Sequence, residues 1–453
     1  MQKLIFDHAL LPEGWAQNVG VDIQDGVIRS VDVGATPQGR ARIAGIALPG
    51  LPNLHSHTFQ RGMAGLAETR GGGNDSFWSW RQLMYRFLGR LTPDDIEALA
   101  AQAFMEMLEA GFTSVAEFHY LHHDLDGRPY ANLAELSERI VAAASQTNIG
   151  LTLLPSLYGY GGFGGAEPNE GQRRFLNDAD RFLALVEKAR AAVRPLPDAR
   201  VGIAPHSLRA VTPELLSNVV RATPEGPIHI HVAEQVKEVQ DCLDWSGRRP
   251  VEWLLDHAPV DDRWCLIHAT HMTPEETEAF ARSGAVAGLC PLTEASLGDG
   301  IFDGVNFRAA GGRFGVGSDS NIEITAPGEL KQLEYSQRLQ NRIRNALTQR
   351  EGESTGRVIY DAGLAGGAQA LGRKIGALAP GCRADVVVLD ADMPELAAVA
   401  GDRWLDQYVF VLGQRAIATV LVGGEPAVEG GRHRERAKIT QRFAKTLTRL
   451  ASE

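Results

Sequence analysis

The amino-acid sequence predicts an α/β fold: a (β/α)8 TIM-like barrel joined to a small β-sandwich built from both chain ends. Two observations predict it. Between about Leu48 and Gly372, short apolar runs alternate with helical periods about eight times, and β-rich segments of similar texture flank that stretch on both sides. A doubly wound open sheet fits less well, because no GxGxxG follows the first strand of the middle segment.

From the N-terminus, Val19–Ile23 and Val27–Val31 alternate apolar and polar residues across an Asp25-Gly26 turn, a hairpin signal. The pattern returns near the other end, where Ala384–Asp390 precedes Ala416–Val422 and the Gly423-Gly424 turn. Residues 1–47 and 373–435 are therefore assigned to the sandwich, 48–372 to the barrel and 436–453 to a terminal helix. The candidate barrel strands are Ala47–Leu54, Thr113–Phe118, Gly150–Pro155, Val201–Ala204, Ile228–Val232, Cys265–Ala269, Val286–Cys290 and Phe314–Gly317. Thr92-Pro93, Thr212-Pro213 and Thr273-Pro274 each open a helix, with threonine as cap and proline at the first helical position.

Composition excludes several classes. A net charge of −11 disfavours nonspecific nucleic-acid binding. The four cysteines, Cys242, Cys265, Cys290 and Cys382, show no CxxC spacing, so neither a thiolate zinc site nor a redox motif is visible, and so few fit a reducing compartment. The first residues lack an apolar leader and no run is long enough to span a bilayer, so the expected location is the cytoplasm, with no membrane partner.

The chemistry concentrates at strand ends. Pro49–His57 ends in His55 and His57, spaced i, i+2, so both rings leave one face of a strand and can converge on an ion. Alone, an HxH pair is usually structural. Its weight comes from His231 at the end of Ile228–Val232, followed by Ala233-Glu234, from His268 at the end of the sixth strand, and from Asp319 just after the eighth. In a barrel these ends open onto one face, so imidazoles and a carboxylate far apart in the chain gather there.

HxH on strand one, HxAE on strand five, His on strand six and SDS on strand eight together resemble the amidohydrolase superfamily, and the resemblance extends over nearly the whole chain. It implies His55, His57, His231 and Asp319 as metal ligands, His268 as the residue orienting the attacking water, and Glu234 as the acid/base carboxylate of the deaminase branch; the catalytic set is then Glu234, His268 and Asp319. Two-metal members need a bridging lysine near the barrel's middle. Between Lys3 and Lys237 the chain has only Lys188, within a helical pattern, so one metal is expected. Zinc suits such ligands, with iron(II) a credible substitute. Asn321 stands where the family often has histidine, a departure that leaves the ligands untouched.

Loop motifs narrow the substrate. Asn74–Arg81, Glu117–Asp124 and Pro205–Ala210 should all sit at the same mouth. They resemble the branch that hydrolyses N-formimino-L-glutamate to N-formyl-L-glutamate and ammonia in histidine breakdown, a hydrolysis of a carbon–nitrogen bond in a linear amidine. Guanidinium is a natural bidentate partner for each carboxylate of that dicarboxylate. Arg81 and Arg209 are the candidates, with Gln60, Tyr120 and His206 as further polar contacts. His119, His122 and His123 are not expected to hold a second metal, and Cys290 reads as core. A homodimer is implied by the resemblance. Two other readings remain: a deaminase of another substrate such as guanine, and an inactive relative that serves as a binding protein.

Overall fold

The computed structural model describes residues 1–70 and 75–452. Strands β1 (Gln2–Leu11), β2 (Gly14–Gln24), β3 (Val27–Val33) and β4 (Ala41–Pro49) open the chain. Asp25 and Gly26, both at positive φ (54° and 75°), form the tight turn joining β2 to β3. The barrel follows: β5 (Leu51–Ser56), β6 (Phe112–His119), β7 (Gly150–Leu157), β8 (Arg200–Val201), β9 (Ala204–Pro205), β10 (Ile228–Val232), β11 (Trp264–His268), β12 (Val286–Leu289) and β13 (Arg313–Val316). The last strands are β14 (Val386–Leu389), β15 (Ile417–Val422), β16 (Glu425–Glu429) and β17 (Arg432–His433).

Strands from the two chain ends form one eight-stranded sheet in the order β17-β16-β15-β14-β4-β1-β2-β3. The seam between the ends is the antiparallel pair β4–β14, with Leu48 opposite Val387. Alternation along these strands serves two cores at once. Val386 and Val388 join Leu4, Phe6 and Val21 in a small separate core, while Val387 and Leu389 point into the main core with Ile46 and Leu48.

Two parallel ladders, β5-β6-β7-β8 and β10-β11-β12-β13, make the barrel walls. Bridges Ile203–Ile228 and Ser207–His231 join them on one side, and Ser56–Asp319 closes the ring on the other. Two boundaries differ from expectation. The run Ala47–Leu54 is not one strand: it breaks at Gly50, where a side chain would lie 2.2 Å from Thr113, and the chain passes there from the end sheet into the barrel. The fourth barrel strand, expected as Val201–Ala204, is split into β8 and β9. Opposite the gap β7 carries Pro155, which has no N–H to donate.

The predicted helix starts are present. Thr92, Thr212 and Thr273 accept hydrogen bonds from the backbone N–H of Asp95 (3.4 Å), Leu215 (3.3 Å) and Glu276 (3.2 Å), opening Pro93–Glu109, Pro213–Ala222 and Pro274–Ser283. Lys188 is exposed on the outer helix Ala179–Ala192. The terminal helix Arg436–Ser452 docks on Pro93–Glu109 through the pairs Arg442–Glu97 and Arg449–Asp95. Among the described residues, no helix is long and apolar enough to cross a membrane.

Candidate metal centre and substrate pocket

The C-terminal ends of β5, β10, β11 and β13 bring five side chains together. His55 Nε2 lies 3.2 Å from His57 Nε2 and 3.1 Å from His231 Nε2. Asp319 Oδ1 is 3.5 Å from the first of these nitrogens and 3.4 Å from the second. His57 Nδ1–H donates to the Phe118 carbonyl and His231 Nδ1–H to that of His206, each at 2.9 Å. These bonds leave the Nε2 lone pairs of His57 and His231 unprotonated and aimed at a common point. Burial also holds the rings of His55, His57 and His231 below the usual imidazole range, so they stay neutral. Converging lone pairs repel unless a cation sits among them. The donor set therefore fits a divalent metal, and the three histidines form a buried cluster able to hold one.

The backbone around the site is strained. Ala233, His268, Ala269, Asp319 and Asn321 all adopt positive φ, between 42° and 66°. Such conformations cost roughly 1–3 kcal/mol each and persist only where surrounding structure imposes them. Asn321 supplies part of that structure: its amide donates to Ser56 Oγ (3.2 Å) and to the carbonyls of His57 (3.1 Å) and Asp319 (3.0 Å). The residue that departs from the expected histidine thus ties the first ligand strand to the last. Gly317 allows the same close approach, since a side chain there would meet the His55 backbone at 2.6 Å.

Beside the cluster, His268 Nε2 faces Glu234 Oε1 and Asp319 Oδ2, each at 3.8 Å. Burial pushes the Glu234 carboxyl up to about 7, against the charges of His268 and Arg209. Burial disfavours charge on His268, yet the carboxylates of Glu234, Glu294 and Asp319 outweigh it and raise the ring to about 10.

One pocket above the cluster is lined by Gln60, Arg81, Tyr120, His206 and Arg209 together with His57, His231, Glu234, His268 and Asp319. His55 lies behind, fully buried. Gln60 Nε2 donates to Tyr120 Oη (2.9 Å), and Tyr120 Oη–H to Met84 Sδ (3.3 Å). Arg209 is buried, its guanidinium 3.8 Å from Glu234 and 3.9 Å from Glu238, and its Nε has no hydrogen-bond partner. Arg81 also has an unpartnered, buried Nε, and its guanidinium lies 4.6 Å from the Trp78 ring centroid. Two cationic heads with spare donors in one pocket fit an anionic ligand. The helix Phe77–Leu88 supplies Arg81 and also lines the pocket with Phe77, Trp80, Met84 and Tyr85. Asn74, at the start of that motif, lies outside the described residues.

Sequence reasoning missed three carboxylates. Glu238 accepts from the backbone N–H of Ala233 (3.2 Å) and Glu234 (3.1 Å), fixing the loop that carries the candidate proton shuttle. Glu117 accepts from Thr58 N–H (2.8 Å) and hydroxyl (2.7 Å), anchoring the turn that presents Gln60; burial pushes this carboxyl up to about 7. Glu294 accepts from His268 Nδ1–H. All three sit within six residues of a strand-end motif, but only the folded chain shows where they point. His119, His122 and His123 are buried, with His122 and His123 donating to the carbonyls of Ser156 (2.9 Å) and Leu176 (2.8 Å).

A barrel whose strand ends gather three imidazoles and an aspartate beside a His–Glu pair is the arrangement of a hydrolytic metalloenzyme. Residues 46–427 match the Amidohydrolase family, and the chain belongs to that family. Residues 2–43 match a second description, Formimidoylglutamate deiminase HutF, N-terminal domain. Over 452 residues, 99% of this chain and 100% of the relative, it is 53% identical to the formimidoylglutamate deiminase of Pseudomonas aeruginosa. An 8-oxoguanine deaminase of the same organism is 28% identical over 85% of this chain and 84% of its own length. Among solved structures, an amidohydrolase from Brucella melitensis superposes with a TM-score of 0.95 at 53% identity, covering 100% of both chains. An adenosine deaminase from Xanthomonas campestris with bound zinc shares the fold (TM-score 0.83, 20% identity, 100% and 99% covered).

Proposed function

We propose that this chain hydrolyses N-formimino-L-glutamate to N-formyl-L-glutamate and ammonia, with one zinc ion held by His55, His57, His231 and Asp319. The observation that carries the reading is the pairing of that cluster with two guanidiniums in one pocket, buried Arg209 and half-buried Arg81, whose Nε atoms are buried and unpartnered. Full-length identity of 53% to a formimidoylglutamate deiminase supports the same reading.

When bound, such an ion lowers the pKa of water to about 7 and so supplies hydroxide at neutral pH. The chain's own residues do the rest. Arg81 and Arg209 grip the two substrate carboxylates, leaving the formimino carbon at the inner end of the pocket. His268 and Asp319 orient the attacking oxygen. Glu234 takes the proton of the water and delivers it to the leaving nitrogen, so that the carbon–nitrogen bond breaks with departure of ammonia rather than amide ion. Proton transfer of this kind contributes roughly 10²–10⁴-fold. The protonated amidine is electrophilic before attack begins, which suits the modest machinery present.

Ammonia release from N-formimino-L-glutamate, measured beside guanine with zinc-loaded protein, tests the reading. Turnover of the formimino substrate and not of guanine is expected; the reverse would make the chain a heterocycle deaminase. The same reading makes the enzyme a cytoplasmic homodimer. Its four unpaired cysteines suit a reducing compartment.

A further inference from the structure

The sequence Cys290-Pro-Leu-Thr-Glu294, at the end of β12, plays no part in the scheme above. Glu294 is buried on the short helix Pro291–Leu297, and its Oε1 accepts two hydrogen bonds. One comes from the Cys290 backbone N–H (2.9 Å) and the other from His268 Nδ1–H (3.2 Å). His268 needs such a hold. Its own backbone and that of Ala269 sit at positive φ (66° and 47°), so the strand ends in a turn that does not itself aim the ring. The opposite ring nitrogen, Nε2, is the one facing Glu234 and Asp319.

We infer that Glu294 is a positioning residue: by accepting the Nδ1–H of His268 it fixes the ring so that Nε2 faces the reacting water and the Glu234 carboxylate. A carboxylate that only capped the short helix would need the Cys290 bond alone. The second bond, across 26 residues between two barrel strands' ends, sets the rotation of a ring in the pocket wall. The inference rests on the proposed roles of His268 and Glu234.

The test uses full-length, zinc-loaded enzyme with ¹⁵N-labelled histidine, the His268 ring signal being assigned by its loss in His268→Asn. A hydrogen-bonded Nδ1–H signal is expected in the wild type, lost in Glu294→Ala and kept in Glu294→Gln, whose amide oxygen can still accept. Turnover of Glu294→Ala should fall about 10- to 100-fold with zinc content and KM little changed, and Glu294→Gln should recover most of it. Wild-type kcat in Glu294→Ala, or a loss of zinc that accounts for the lost activity, would overturn the inference. Should Glu294→Ala fail to fold, Glu294→Gln decides. There, signal and turnover kept or lost together support the inference, and one lost without the other refutes it. If the wild type releases no ammonia from N-formimino-L-glutamate, the proposed function falls, while the ring signal still decides whether Glu294 holds His268.

Discussion

Glu234 and Arg209 face each other across 3.8 Å in the pocket wall, yet they carry separate parts of the proposed reaction. Replacing Glu234 with Gln keeps the shape and removes the proton carrier. The variant should bind zinc like the wild type while kcat falls about 10²-fold or more, as measured by ammonia release. Retained turnover would remove Glu234 from the scheme. Arg209→Met instead keeps every group that carries the proton and takes away a charge partner for a buried substrate carboxylate. A bond to a charged group contributes about 1.5–3 kcal/mol, so KM should rise roughly 10- to 100-fold. An unchanged KM would show that the carboxylate binds elsewhere. Residue by residue, the candidate ligands were legible because each depends on a local rule: i, i+2 spacing on a strand, or a polar residue where an apolar run stops. Glu294 was not. In sequence it is a first-turn helix acid like many others, and only the barrel's curvature brings it beside His268.

At the scale of elements, close approaches decide more than propensity does. Gly50 is the clearest instance, because the chain leaves the end sheet and enters the barrel at that residue. A methyl group there would sit 2.2 Å from the side chain of Thr113, the second residue of β6. Gly50→Ala should therefore destabilise the fold by about 1–3 kcal/mol, read as a shift in urea midpoint with little change in slope. Thr113→Ala in the same chain should restore part of the loss. An unshifted midpoint in Gly50→Ala would mean the junction is looser than described. Sequence periodicity located nearly every barrel strand within two residues, since parallel strands buried on both faces read as continuous apolar runs. It failed at the first strand, where an uninterrupted apolar run conceals a change of sheet. It failed again at the fourth, where the break arises from a proline on the neighbouring strand and not from the strand's own residues. Capped helix starts were legible because Thr-Pro-Asp/Glu acts within a single turn.

Across the whole molecule, the two chain ends close one sheet beneath the barrel, and the strand ends at the other face collect the chemistry. Pairing of β4 with β14 joins residues more than 300 apart, so the sheet's composition was legible from texture while its order was not. The four candidate ligands come from three separate parts of the barrel wall: the end of β5 with His55 and His57, β10 with His231, and the turn after β13 with Asp319. A cation held there would tie the ring's two halves together, and the proposed reaction depends on that ion. The most direct measurement is elemental analysis of an active preparation, taken before and after chelation and zinc restoration. About one zinc or equivalent divalent ion per chain is expected, with ammonia release lost and regained in proportion to it. Full activity in a preparation holding no transition metal would contradict the account.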